Sequence, residues 1–154
     1  MGCSTPGSCV PSGSVSDLGL THIALPVHDI DVSIDFYARY AGMEVVHRRD
    51  DPGGNRVAWV SDLTRPFVVV LIETERSYPS LGDPFSHLGI ALASRDAVDR
   101  VCELARAEDR AVHGPVDSGP PVGYWAYVVD PDGHNLEVSF GQEVAFTVED
   151  HTHR

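Results

Sequence analysis

Basic residues are scarce in this sequence of 154 residues, which has 11 lysines and arginines against 23 aspartates and glutamates. The formal net charge of −12 repels the phosphate backbone of nucleic acids and the anionic face of a membrane, so we expect neither as a partner. Long apolar runs are missing too. No stretch of aliphatic and aromatic residues exceeds six, whereas a transmembrane helix needs roughly twenty.

Cysteine is scarce as well, with Cys3 and Cys9 near the N-terminus and Cys102 in a helical pattern. This odd and scattered set builds neither a disulfide framework nor a thiolate metal site, which favours a reducing cytoplasm as the compartment. Residues 1–17 lack the basic start and the apolar stretch of a secretory signal. Their Ser, Gly and Pro content predicts a disordered tail.

The remaining periodicity predicts two copies of one βαβββ unit. The segment THIALPV, which begins at Thr21, alternates in hydropathy as a half-buried strand does, and apolar residues at helical spacing follow it up to Gly42. Three extended runs complete the unit. The segment SHLGIAL, which begins at Ser86, repeats the first pattern at an offset of 65 residues, and a helix and three strands again follow.

These patterns define one α+β domain and its boundaries. We predict a single domain over residues 18–142, in which repeat one covers 18–73, a linker covers 74–84 and repeat two covers 85–142. Residues 143–154 are predicted to form a polar C-terminal tail.

Two histidines hold equivalent positions in the repeats, because His22 and His87 each open the first strand of their unit. Both lie on the strand face opposite the residues that should pack on the helix, and we expect the duplication to bring them to one cavity. Glu137 follows the turn-forming segment DPDGHN and also alternates with apolar neighbours. Two imidazoles and one carboxylate suit a divalent transition metal that keeps open positions for water, a substrate or dioxygen.

Further side chains are candidates for the substrate pocket. Trp125 and Tyr127 share one face of a predicted strand and could line that pocket or simply fill the sheet. Trp59 and Glu73 are additional candidates for substrate contact, and Glu73 is also a candidate fourth metal ligand. The alternative for Glu73 is an exposed position at a strand end, where glutamate is common.

The segments THIALPVHDI, SHLGIALAS and YVVDPDGHNLE resemble the vicinal oxygen chelate superfamily, which includes glyoxalase I, extradiol dioxygenases, fosfomycin-resistance proteins and bleomycin-binding proteins. The resemblance covers about residues 18–142 and implies paired βαβββ modules that form an incomplete β-barrel around a metal. It also implies that His22, His87 and Glu137 are the metal ligands. Small members of the superfamily commonly dimerise, and we expect a homodimer whose partner covers exposed sheet edges.

Departures from the patterns of the subfamilies separate the candidate functions. Glyoxalase I has a glutamate as fourth ligand, at a position that aligns with Leu71, two residues before Glu73. Extradiol dioxygenases have a tyrosine ten residues before the ligand glutamate, which matches Tyr127, whereas their distal histidine aligns with Ile72. The threonine that fosfomycin-resistance enzymes place two residues after the first ligand is Ala24 here.

The resemblance therefore implies a metal-dependent enzyme whose small substrate chelates the metal through two vicinal oxygens. Three ligands together with Tyr127 favour dioxygenase-like chemistry, in which the phenol donates a hydrogen bond to an oxygen of the substrate or intermediate. Fe(II) or Mn(II) is the expected metal, with Zn(II), Ni(II) and Co(II) as alternatives. A glyoxalase-type lyase or isomerase is the second hypothesis, and a metal-free drug-binding protein of the bleomycin-resistance type is the third.

Overall fold

The computed structural model describes residues 19–75 and 85–152. The order βαβββ occurs twice and is followed by one more helix. The elements are β1 (His22–Val27), α1 (Ile30–Ala41), β2 (Glu44–Asp50), β3 (Arg56–Ser61), β4 (Val68–Glu73), β5 (His87–Ala91), α2 (Arg95–Ala107), β6 (Val112–Asp117), β7 (Tyr124–Val129), β8 (Asn135–Phe140) and α3 (Val144–Thr152).

The strands form two four-stranded sheets with the same internal order, β1-β4-β3-β2 and β5-β8-β7-β6. In each sheet the first strand of the repeat pairs in parallel with the fourth, and the other pairs are antiparallel. Helix α1 packs on the first sheet and α2 on the second. The predicted α+β architecture of two βαβββ units is confirmed, with the two sheets left open rather than closed into a complete barrel.

Helix α1 begins and ends where the sequence indicates. The Asp29 side chain accepts hydrogen bonds from the amides of Asp31 and Val32, so it occupies the N-cap position that such residues favour. Gly42 ends the helix with φ of 61°, a left-handed conformation that glycine adopts without a steric penalty. The chain then turns directly into β2.

The hydrophobic core is one cluster that extends through both repeats. On α2, Val98, Cys102 and Ala105 are fully buried and recur at spacings of four and three residues, which places them on one side of the helix. They face the buried positions of β7 and β8. We call the helix-packed face of each sheet its outer face and the opposite face its inner face.

A polar contact joins repeat one to the turn before β8. The Tyr37 hydroxyl on α1 donates to Oδ2 of Asp130 at 2.9 Å, and Asp130 is only 4% exposed. The other carboxylate oxygen of Asp130 accepts from the amides of Asp132 and His134 at 2.9 and 2.8 Å. Helix α1 therefore fixes the turn from which β8 starts.

Stability should depend on pH through Asp130. Burial raises the pKa of the Asp130 carboxyl group. The nearby His134 and the hydrogen bonds that Asp130 accepts lower this pKa, but their effect is smaller. A carboxyl whose folded-state pKa lies above the unfolded value of about 3.9 stabilises the folded state at low pH, and this contribution is lost as the pH rises through the folded-state pKa. We expect the unfolding free energy of the wild type to fall relative to that of Asp130→Asn as the pH rises above the unfolded-state pKa of about 3.9. Urea denaturation of both proteins at several pH values checks this, and parallel pH curves would contradict it.

The C-terminal segment corrects one expectation. Residues 143–154 are not simply a polar tail, because Val144–Thr152 forms α3. Val144 and Val148 are four residues apart, a helical spacing that the acidic residues and histidines around them obscure. The predicted tail over 1–17 lies outside the described residues, as does the predicted linker beyond Glu75. None of the helices within 19–75 and 85–152 is long and apolar enough to cross a membrane.

Candidate metal-binding site

The inner face of the second sheet brings His87, Tyr127 and Glu137 together. Strand pairing aligns Gly89 with Glu137, Glu137 with Tyr127, and Tyr127 with His113, so these four residues form one row across the sheet. Residues directly opposite each other in a sheet point to the same side. Three of the predicted site residues of repeat two therefore lie side by side on this face.

The His87 ring is oriented by a backbone carbonyl. Its Nδ1 lies 2.6 Å from the carbonyl oxygen of Phe85. A carbonyl oxygen can only accept, so the ring hydrogen sits on Nδ1 and the lone pair sits on Nε2. A backbone carbonyl that fixes the tautomer in this way is one of the common partners of a metal-binding histidine.

The lone pair of His87 faces a carboxylate. Nε2 of His87 lies 3.3 Å from Oε2 of Glu137, whose side chain is nearly buried. Two acceptor atoms at this distance repel each other unless a positive charge lies beside them, either as a proton on Nε2 or as a metal ion bound by both. The donor set thus fits a divalent metal.

Tyr127 lies beside this pair. Its hydroxyl oxygen is 3.2 Å from Nδ1 of His87, and its ring packs on those of His87 and Trp125 at centroid distances of 5.1 and 4.9 Å. Burial, and then the negative charge of Glu137, raises the pKa of the Tyr127 phenol. The phenol therefore stays protonated at neutral pH and can donate a hydrogen bond.

The inner face of the first sheet carries the other predicted residues. His22 is exposed, and its Nδ1 lies 2.9 Å from the hydroxyl oxygen of Thr21. Trp59 is 37% exposed and packs on His47 with a centroid distance of 4.9 Å. Strand pairing places Trp59 beside Val70, on the same side as His22. Both predicted residues thus face the open side of this sheet.

The matching rows of the two sheets show what stands at the fourth ligand position. In the first sheet the row is Ala24, Val70, Trp59 and His47, and it corresponds to Gly89, Glu137, Tyr127 and His113 in the second. Val70 therefore occupies the position that Glu137 has in repeat two. Valine has no donor atom, so in the first sheet the position equivalent to Glu137 carries no metal ligand.

Glu73 is a correction to the sequence prediction, as is the alignment of Leu71 with the fourth ligand. Both residues point to the outer face, where Leu71 is fully buried in the core. Glu73 accepts from the amide of Ile30 at 3.0 Å and from Arg56 at 2.8 and 2.5 Å, and the Arg56 bonds lower the pKa of its carboxyl. Glu73 therefore stabilises the start of α1, on the face of the first sheet opposite to His22 and Trp59.

One chain does not assemble the complete ligand set. Among residues 19–75 and 85–152, no three His, Cys, Asp or Glu side chains lie close enough to hold one metal ion. His22 is therefore not grouped with His87 and Glu137 as a three-ligand cluster in the described part of one chain, and the meeting of the two histidines in one cavity stays a prediction. The described strands of the two sheets do not pair with each other, and contacts such as that between Tyr37 and Asp130 join the repeats instead.

Three polar residues near these faces were missed as site residues by sequence reasoning. His47 and His113 hold matching inner-face positions beside Trp59 and Tyr127. The equivalence of the repeats could have identified them. Gln142, whose side-chain amide contacts Glu137, follows β8 and belongs to no repeat or spacing pattern.

The sequence matches the model of a known protein family. The sequence model of the Glyoxalase/Bleomycin resistance protein/Dioxygenase superfamily matches residues 19–138. An uncharacterized protein of Pseudomonas aeruginosa is 40% identical over 126 residues, which are 80% of this chain and 89% of that protein. A lactoylglutathione lyase of Neisseria meningitidis is 32% identical over 127 residues, which are 77% of this chain and 87% of that enzyme.

Solved structures share the fold. Glyoxalase I of Leishmania major superposes with a TM-score of 0.68 at 22% identity and covers 86% of this chain and 94% of its own. A fosfomycin resistance protein of Listeria monocytogenes, solved with Mn(II), superposes with a TM-score of 0.67 at 18% identity and covers 86% of this chain and 99% of its own. At these identities the likeness concerns the fold alone.

Proposed function

Because this chain belongs to the Glyoxalase/Bleomycin resistance protein/Dioxygenase superfamily, we propose that it is a divalent-metal-dependent enzyme that acts on a small substrate with two vicinal oxygens. The observation that carries the proposal is the His87 and Glu137 pair, in which a lone pair and a carboxylate oxygen face each other at 3.3 Å. The reaction we favour is a glyoxalase-type lyase or isomerase reaction, because relatives of similar length are named lactoylglutathione lyase.

The proposed active site combines residues from two copies of the chain. Each chain presents His87 and Glu137 on one inner face and an exposed His22 on the other. A two-fold dimer joins the same two surfaces twice, so it would build two identical three-ligand sites. Strands β1 and β5 lie at sheet edges, where unpaired backbone groups can pair with another chain.

Each chain's residues have separate tasks in this proposal. His22, His87 and Glu137 would hold the ion, which supplies Lewis-acid stabilisation of negative charge on the substrate oxygens. Fe(II), Mn(II), Ni(II), Zn(II) and Co(II) all suit this mixed nitrogen and oxygen set. The phenol of Tyr127 donates a hydrogen bond to a substrate oxygen, and the rings of Trp125 and Trp59 form apolar walls that exclude water.

Extradiol dioxygenase chemistry is the second candidate. Val70 at the fourth ligand position leaves two histidines and one carboxylate, the set of iron sites that activate dioxygen. Tyr127 beside His87 also favours this chemistry, since its phenol can donate to a bound oxygen. These observations concern the ligand set and not the substrate.

Metal reconstitution separates these functions. We expect protein loaded with Mn(II), Ni(II) or Zn(II) to isomerise a hemithioacetal without dioxygen, because proton transfer needs no redox change at the metal. Consumption of dioxygen with a catechol by the Fe(II) form alone would move the function to the second candidate, since Zn(II) has no redox chemistry. Purified protein that binds no metal and turns over neither substrate would overturn both in favour of a binding protein.

A further inference from the structure

Gln142 contacts the carboxylate oxygen of Glu137 that does not face His87. Its side-chain nitrogen donates to Oε1 of Glu137 at 2.5 Å, whereas Oε2 faces Nε2 of His87 at 3.3 Å. An ionised carboxylate can only accept, so the amide nitrogen rather than its oxygen must point at Glu137. The two oxygens of Glu137 therefore have different partners.

The backbone delivers Gln142 to this position from beyond the end of β8. Gly141 has φ of 79°, a left-handed conformation that turns the chain after the strand. The amide of Glu143 then donates to the carbonyl oxygen of Pro121 at 2.9 Å, which anchors the segment before α3 begins. The turn at Gly141 and the anchored amide of Glu143 thus place Gln142 beside Glu137.

We propose that Gln142 is a positioning residue that limits Glu137 to one metal-binding oxygen. This inference rests on the proposed metal site. With Oε1 held by the amide, only Oε2 is directed to the ion beside His87. A carboxylate that binds through both oxygens would take one more coordination position, and that position is needed for the second oxygen of a chelating substrate.

The chemistry of an amide suits this task. Gln142 donates a hydrogen bond without bringing a positive charge, so Glu137 keeps the full negative charge that attracts the ion. A hydrogen-bonding neighbour of a metal ligand orients the ligand, and its removal usually costs about 10- to 100-fold in metal affinity or activity. We expect the same range here.

The test compares Gln142→Met, which keeps the length of the side chain and removes the donor, with the wild type. We expect the Mn(II) dissociation constant to rise about 10- to 100-fold and the absorption spectrum of the Co(II) form to change. The substrate KM should rise more than kcat falls, because the second oxygen of Glu137 competes with the substrate for coordination. Thermal unfolding of the metal-free variant should match that of the wild type.

Controls separate this role from a structural one. Glu143→Gln alters the exposed neighbouring side chain at the start of α3, and it should leave the Mn(II) affinity and the Co(II) spectrum unchanged. If Gln142→Met does not fold, Gln142→Asn, whose amide is one methylene short of Glu137, should show the same loss of affinity. Unchanged Mn(II) affinity and an unchanged Co(II) spectrum in the folded Gln142 variant would overturn the inference. A wild type that binds no metal would instead overturn the proposed function.

Discussion

Alanine in place of either His22 or Glu137 should remove the metal and reduce turnover to background. The proposed site has His22, His87 and Glu137 as its three ligands, and Val70 has no donor atom to replace a lost one. We expect the loss of affinity to exceed the roughly 100-fold that follows removal of a neighbour of a ligand. Elemental analysis of protein reconstituted with Mn(II), together with activity measurements, checks this result.

The first sheet offers a matched control for the glutamate. Glu73 also lies in the last strand of its repeat, but it points to the outer face and binds Arg56. Glu73→Ala should lower stability, because the start of α1 loses an acceptor, and should leave the metal content intact. Full metal occupancy in both His22→Ala and Glu137→Ala would contradict the assignment of these two residues as metal ligands.

Replacing Tyr127 with phenylalanine should lower turnover by about 10²- to 10⁴-fold while the metal stays bound. The ring of Tyr127 still packs on His87 and Trp125 in this variant, so the pocket keeps its shape. The variant loses the protonated hydroxyl group, whose oxygen lies 3.2 Å from Nδ1 of His87 and which can donate a hydrogen bond to a substrate oxygen. Measurement of kcat, KM and metal content on one preparation checks the prediction.

Tyr124 provides the control on the same strand. Its hydroxyl donates to Oδ1 of Asp99 on α2 at 2.6 Å, on the outer face of the second sheet. Tyr124→Phe therefore removes a tyrosine hydroxyl without touching the inner face and should keep the wild-type kcat. An equal loss of turnover in both variants, or normal turnover in Tyr127→Phe, would remove the donor role from Tyr127.

The repeat could be predicted from the sequence because its signal is local. Alternation in THIALPV and SHLGIAL fixes which face of β1 and β5 each histidine occupies, and the constant offset makes His22 and His87 equivalent. The face of Glu73 could not be predicted in the same way. β4 belongs to the run FVVVLIE, in which six successive apolar residues hide the alternation, so an error of one residue moved the fourth ligand position from Val70 to Leu71.

The way in which the two repeats pack together also could not be predicted from local sequence patterns. Contacts between residues far apart in the chain, such as Tyr37 with Asp130 and Arg39 with Glu108, determine how the repeats join. No pattern in the sequence around one residue of such a pair indicates which distant residue it contacts. The sequence therefore predicts the faces of the two strand-opening histidines, whereas the packing of one repeat on the other has no local signal in the sequence.

A mixture of two inactive variants tests the central claim, that each metal site is shared between two chains. In a dimer of one His22→Ala chain and one Glu137→Ala chain, one site loses both ligands and the other keeps all three. Half of the dimers in an equimolar, fully exchanged mixture are mixed, so we expect about a quarter of the wild-type metal content and activity. If His22 and Glu137 served the same chain's site, every site would lack one ligand, and no recovery of metal or activity in the mixture would contradict the account.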